Sequence, residues 1–321
     1  MKRVAWKDYY REELVRPSVR TCLADRLAEA PNGRLLDAFA RGAVVSFPHT
    51  RLDAAGPIDA EVVASLYRTG IKRIFALGVL HSGAIPAYSV ALDESAADVE
   101  RTEAFRVVEG TFAVDANSAG LETPFGLQPV AVPDETAGIL RVDRAGLLRD
   151  EFSLDTFLAI LRLGSDVLGR PPIPVEPLFV GMTRHAVTGA FDVARSTAHW
   201  LRARLSPATA VVATGDLVHF GSGYGIPSGF PIADGGGLER RLRIEVSETL
   251  SLALRDGDLE GAYRRSKDVL RNDQREILPV IAEFLGRASR FEIVRFDVTD
   301  YADLLEVSRP CVVASALVVY G

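Results

Sequence analysis

Cysteine is nearly absent from this sequence. There are two in 321 residues, Cys22 and Cys311. Two distant cysteines give no disulfide framework and no cysteine-based metal spacing. An excess of positive charge is missing too, the formal net charge being −6. Phosphate backbones are bound by clustered positive fields, so this balance argues against a nucleic-acid partner. No apolar run reaches the roughly 18 residues of a membrane span. The first residues, MKRVAWKDYYREELVR, hold no apolar core of a signal peptide. The expectation is a cytoplasmic protein with no membrane partner. Its oligomeric state is left open, a homo-oligomer included. Tryptophan and methionine are scarce, two of each, and there are five histidines.

What the sequence has is a globular core. Hydrophobic residues make up 48% and charged residues 25%, and the length suits one large domain or two small ones, with no convincing linker to divide it. Short apolar runs at 43–47, 73–77, 175–180 and 210–213 read as buried strands. A partly exposed strand is expected at 88–92 and another at 130–132. Amphipathic spacing predicts helices at 59–67 with Asp59 as N-cap, from Ser153 onward, and at 189–205. Three more are expected at 238–254, 259–270 and 276–285, followed by strands at 291–298 and 311–320. Residues 1–42 read as a helical lead-in and 43–321 as the main domain. Alternating strands and helices predict a single-domain α/β/α sandwich around a largely parallel sheet, and the late pair of strands makes that sheet mixed.

The chemistry is concentrated at strand ends. The segment AVVATGDLVHFGSGYG, 210–225, is an apolar run that breaks at Gly215 and presents Asp216 and His219. Val45-Ser-Phe-Pro-His49 and Phe75-Ala-Leu-Gly-Val-Leu-His81 are built the same way. In a parallel α/β sheet such ends gather at one edge, where ligands bind. Neutral imidazole is a common ligand for zinc, copper and iron. Three histidines capping strand ends for purely structural reasons would give the same pattern. His199, beside Trp200 in a helix, and His185, in a polar loop, read as structural.

Five stretches occur in order: VSFPHTRLDAAGP, ALGVLHS, TPFG, PLFVG and ATGDLVHFGSGYG. Together they resemble the MEMO family, whose members are related to the catalytic subunit of class III extradiol ring-cleavage dioxygenases. The resemblance runs from about Ala43 to the C-terminus. It implies an α/β/α sandwich and metal-ligand histidines at His49 and His81. It also implies an acid/base histidine at His219, with Asp216 orienting it or lining the pocket. Three features depart from the MEMO pattern. Phe152 stands where the family has histidine, Asp155 where it has glutamate, and the family's Cys-Gly motif is missing. The corresponding segment here is Asn272-Asp-Gln-Arg-Glu276-Ile-Leu-Pro279. The dioxygenases place a glutamate at the start of a helix in this part of the fold. Glu276 is therefore the expected third ligand, with Asp273 its rival. Two histidines and a carboxylate suit Fe(II), with zinc or copper as alternatives. The implied reaction is that of an iron-dependent oxygenase using O2 and a small, catechol- or aminophenol-like substrate, with Tyr224 touching that substrate. A metal-binding protein without turnover and a zinc hydrolase are the competing readings.

Overall fold

The computed structural model describes residues 4–81, 85–114, 120–131, 140–142, 146–227, 236–286 and 289–321. The strands are β1 (Val44–Phe47), β2 (Arg73–Val79), β3 (Thr111–Ala113), β4 (Gly120–Thr123), β5 (Gly126–Pro129) and β6 (Leu140–Val142). They continue with β7 (Val175–Val180), β8 (Thr209–Thr214), β9 (Val218–Gly221), β10 (Phe291–Asp300) and β11 (Cys311–Tyr320). Eight strands follow the order β10-β11-β1-β8-β2-β7-β3-β6, and β9 joins as a ninth by pairing with β11. The middle strands β1, β8, β2 and β7 are parallel, while β11 and β3 flank them antiparallel. The sheet is mixed, as the late pair of strands predicts. The pair β4 and β5 forms a separate hairpin, whose turn lies at Pro124 and Phe125 in the TPFG stretch.

Parallel strands covered on both faces must be apolar on both faces. In β2, Ile74 and Ala76 belong to one core layer, while Phe75, Leu77 and Val79 belong to the other. Strand β8 follows the same rule: Ala210 and Val212 face the first layer, Val211 and Ala213 the second. Helices Gly56–Arg68 and Asp155–Leu168 cover the first face. Helices Asp192–Arg202, Gly236–Ser251 and Ile277–Leu285 cover the second. The segment before Ala43 packs into the first layer through Leu14, Leu23, Leu27, Leu35 and Phe39. Among the described residues no helix is long and apolar enough to cross a membrane.

Two local expectations are corrected. Residues 88–92 are not a strand but part of the helix Pro86–Leu92. Pro86 sits at the helix start, where its fixed φ is favourable. The buried residues Tyr88 and Ala91 are three apart, a helical face. Of the expected strand at 130–132, Val130 forms an isolated bridge to Val175, and Val132 lies outside the described residues.

Asp59 is the second correction. The helix begins earlier, at Gly56-Pro57, so Asp59 lies inside it rather than capping it. It is fully buried, and neither carboxylate oxygen has a hydrogen-bond partner among the described residues. Burial, reinforced by the Asp216 carboxylate, pushes its pKa well above the carboxylate range. A raised folded-state pKa contributes stability that is fully present below the unfolded pKa, roughly 3.9. That contribution is lost as pH rises through the folded value. Asp59→Asn should remove this dependence and be more stable than the parent at pH 8, by about 1–3 kcal/mol. Urea unfolding of both proteins at pH 5 and pH 8 checks it. An unchanged pH dependence would mean that Asp59 is ionised at no cost.

Candidate metal centre

The fold brings the histidine-bearing strand ends to one place. His49 follows β1 by two residues, and His81 follows β2 by two. The chain leaves β8 at Thr214, passes Gly215 and Asp216, and enters β9, which contains His219. Strand β9 pairs with the first half of β11, Val313 opposite His219. Strand β1 pairs with the second half of β11, Ser46 opposite Val318. The two strands thus lie one beyond the other along β11, and His49 emerges in the gap between them. Gly215 makes the turn possible, with φ of 149°. A Cβ there would come within 2.6 Å of the Gln274 side chain.

The fourth component arrives from the helical block. Arg271 has a left-handed backbone, φ 50°, and ends the preceding helix. Asn272 accepts from the Gln274 N–H at 2.6 Å and caps a short 3-10 turn, Asp273–Arg275. That turn is docked on the end of β8. The Asp273 N–H donates to the Asp216 carbonyl at 3.0 Å. Gln274 Nε2 donates to the Gly215 carbonyl at 3.0 Å.

Three imidazoles point Nε2 at one atom, Oδ2 of Asp273. The distances are 3.2 Å from His49, 3.9 Å from His81 and 3.7 Å from His219. Each ring is held by its other nitrogen. His81 Nδ1 lies 2.9 Å from Oε1 of Glu151. His219 Nδ1 is 3.0 Å from the Arg271 carbonyl, which can only accept, so this nitrogen carries the proton. His49 Nδ1 faces Thr214 Oγ1 at 3.4 Å. Such outer partners fix tautomer and ring orientation in metal sites. His81 also stacks on Phe152, ring centroids 4.3 Å apart.

The electrostatics follow from burial and proximity. Burial alone would raise Asp273, but the three histidines outweigh it and hold its carboxyl well below the usual range. Burial would likewise lower His81, yet the Glu151 carboxylate dominates and lifts it to about 9. His49, only 3% exposed, is lowered by burial despite its contact with Asp273. Asp216 is raised well above the carboxylate range, first by burial and then by the Asp273 charge.

The ligand atoms of His49, His81 and Asp273 lie within 4.8 Å of one another. Two imidazole nitrogens and a carboxylate oxygen at that spacing fit one divalent ion. The structure does not bring Glu276 to this group. Its carboxylate accepts from the Thr183 N–H at 2.8 Å, from Thr183 Oγ1 at 3.0 Å and from the Tyr263 hydroxyl at 2.6 Å. With its oxygens committed to those donors, Glu276 has a structural place, and the carboxylate beside the histidines is Asp273. Tyr224 does lie at the site, its ring 4.9 Å from that of His219.

A cavity of about 100 Å³ opens over the histidines. Its wall includes Trp6, Tyr10, Phe152, Tyr224, Tyr301 and Val313. Trp6 stacks on Tyr10 with centroids 5.8 Å apart, and Tyr10 packs 5.5 Å from Phe152. Sequence reasoning found neither Glu151 nor the N-terminal aromatics. A cue for the latter was present: Trp6, Tyr9 and Tyr10 fall three and four apart, one face of a helix. No family model matches this chain, and no curated protein matches it.

Proposed function

We propose that this protein is a non-haem iron-dependent oxygenase acting on a small, single-ring substrate of the catechol or aminophenol kind. His49, His81 and Asp273 would hold Fe(II). The observation that carries the reading is the aim of three Nε2 atoms at one carboxylate oxygen, each ring steered from behind. A bound Fe(II) would supply Lewis acidity and electrons for reaction with O2. The resemblance to MEMO proteins and to the extradiol dioxygenases points the same way.

The chain's own residues have distinct tasks in this reading. His219 keeps its Nδ1 proton on the Arg271 carbonyl, so Nε2 is the atom that takes a substrate hydroxyl proton and returns it. The aromatic wall of Trp6, Tyr10, Phe152 and Tyr224 excludes water and holds an apolar ring. The cavity is small, about 100 Å³ against the roughly 150 Å³ of an apolar cavity that holds benzene, so nothing larger than a single ring could be accommodated, and a ring would not fit wholly inside it.

The test is anaerobic purification, reconstitution with Fe(II), metal analysis, and O2 uptake with catechol and 2-aminophenol. One iron per chain and substrate-dependent O2 uptake are expected. Stoichiometric iron in His49→Ala or His81→Ala would refute the site. His219→Ala should keep its iron and lose turnover by ~10²-fold or more, typical of a missing acid/base. An iron loss equal to that of His49→Ala would instead make His219 a ligand of that ion.

A further inference from the structure

Asp273 belongs to two groups. One is His49, His81 and Asp273; the other is Asp216, His219 and Asp273, whose ligand atoms also lie within 4.8 Å of one another. We propose that Asp216, His219 and Asp273 form a second divalent-cation site, filled after the first, and that its occupancy inhibits the enzyme by taking Nε2 of His219. The inhibitory consequence rests on the oxygenase reading; the binding itself does not.

Asp216 is the independent sign of a ligand. It is 3% exposed and lines the cavity. Its Oδ1 has no hydrogen-bond partner among the described residues. An orphaned buried carboxylate oxygen is costly, and a cation is the partner that removes the cost. Neither Asp216 nor Asp273 forms an ion pair with lysine or arginine among the described residues; the ion-pair contacts of Asp273 there are to histidines. His219 has its Nδ1 committed to a carbonyl, which leaves Nε2 as the ligating nitrogen. Two carboxylates and one imidazole suit Mn(II), Fe(II) or Zn(II) better than a soft ion.

Filling must be sequential. The first group brings two imidazoles to one carboxylate, and a second cation on the shared carboxylate is opposed by the charge of the first. The second ion also occupies the nitrogen that would move the substrate proton. Turnover should therefore rise with the first equivalent of metal and fall with the second.

The experiment uses Mn(II) as probe. Metal-free protein is dialysed to equilibrium against increasing Mn(II), with bound metal counted and spin coupling between neighbouring ions followed by electron paramagnetic resonance. Two ions per chain, coupled, are expected for the wild type. Asp216→Asn should saturate at one uncoupled ion. Unfolding curves of both proteins show that the variant is folded. Excess Mn(II) added to the iron-loaded enzyme should inhibit it at least tenfold, and in Asp216→Asn this inhibition, relative to the variant's own rate, should vanish. A single ion in the wild type at saturation overturns the second site and leaves the first intact. No bound ion at all sinks both. Two ions in Asp216→Asn would place the second elsewhere and also overturn the proposal.

Discussion

Replacing Asp273 with asparagine should strip the first metal from this protein, while replacing Glu276 with glutamine should not. Asp273 offers the one carboxylate oxygen on which three Nε2 atoms converge, at 3.2, 3.7 and 3.9 Å. Asparagine keeps the shape and removes the charge. It leaves two neutral nitrogens and a weak carbonyl to hold a divalent ion. The loss should exceed the roughly 10–100-fold typical of removing a partner behind a ligand. Glu276 has a different kind of importance. It is 3% exposed and bonded to Thr183 and Tyr263, with Arg275 Nε 3.5 Å from its Oε1. Glutamine there breaks a buried charge pair, a change that costs about 3–5 kcal/mol of stability. The folded fraction should still bind Fe(II) within about threefold of the parent, less than 1 kcal/mol. Iron affinity by competition and urea unfolding, run on both variants, separate the two roles. An iron loss in Glu276→Gln with none in Asp273→Asn would reverse the assignment.

The choice between these two carboxylates marks where sequence reasoning stopped. Both precede the apolar run that begins at Ile277, and both are acceptable ligands. Their difference is made by a single 3-10 turn, Asp273–Arg275, before the helix Ile277–Leu285. The turn points Asp273 at the strand ends. It sends Glu276 toward Thr183, just beyond β7. Nothing in the spacing announces that turn; the hydrogen bonds from Asp273 to Asp216 and from Gln274 to Gly215 set it, and they are long-range. The central strands were legible for the opposite reason. Val44 to Phe47, Arg73 to Val79 and Thr209 to Thr214 are buried at nearly every position, and such burial demands the unbroken apolar runs that identify them. The histidines at their ends could be placed together by topology alone. Strand β3 and the edge strand β6 have three residues each, too short for a periodic signal. Trp6 and Tyr10 were hidden because their helix is charged on its other side, and the sequence does not say what a helix covers.

Glu151 was legible from nothing at all, and its removal should be among the most damaging single changes in the protein. It lies one residue before Phe152, in a turn without periodicity, and is 6% exposed. Its carboxylate accepts from four donors. These are the backbone N–H of His81 at 2.7 Å, of Phe152 at 2.8 Å and of Ser153 at 2.8 Å, and Nδ1 of His81 at 2.9 Å. Burial works against the charge, but His81 and these N–H donors outweigh it and lower the pKa from 4.5 to about 2. A depressed folded-state value contributes stability that is present above the unfolded pKa and lost as pH falls through the folded one. For this group the window runs from about pH 4.5 down to about 2, and the shift corresponds to roughly 3 kcal/mol. Glu151→Ala should therefore destabilise the metal-free protein by about 3–5 kcal/mol near neutral pH, since three N–H groups lose their acceptor. The penalty should shrink as the pH is lowered toward 2. Glu151→Gln keeps an acceptor for one or two of those donors and should cost less. In the alanine variant His81 loses the group that fixes its ring, so Fe(II) affinity of the folded protein should fall by about 10–100-fold. Urea unfolding of both variants as a function of pH, together with iron competition on folded Glu151→Ala, provides the measurement. Full iron affinity in folded Glu151→Ala would show that His81 is oriented without Glu151.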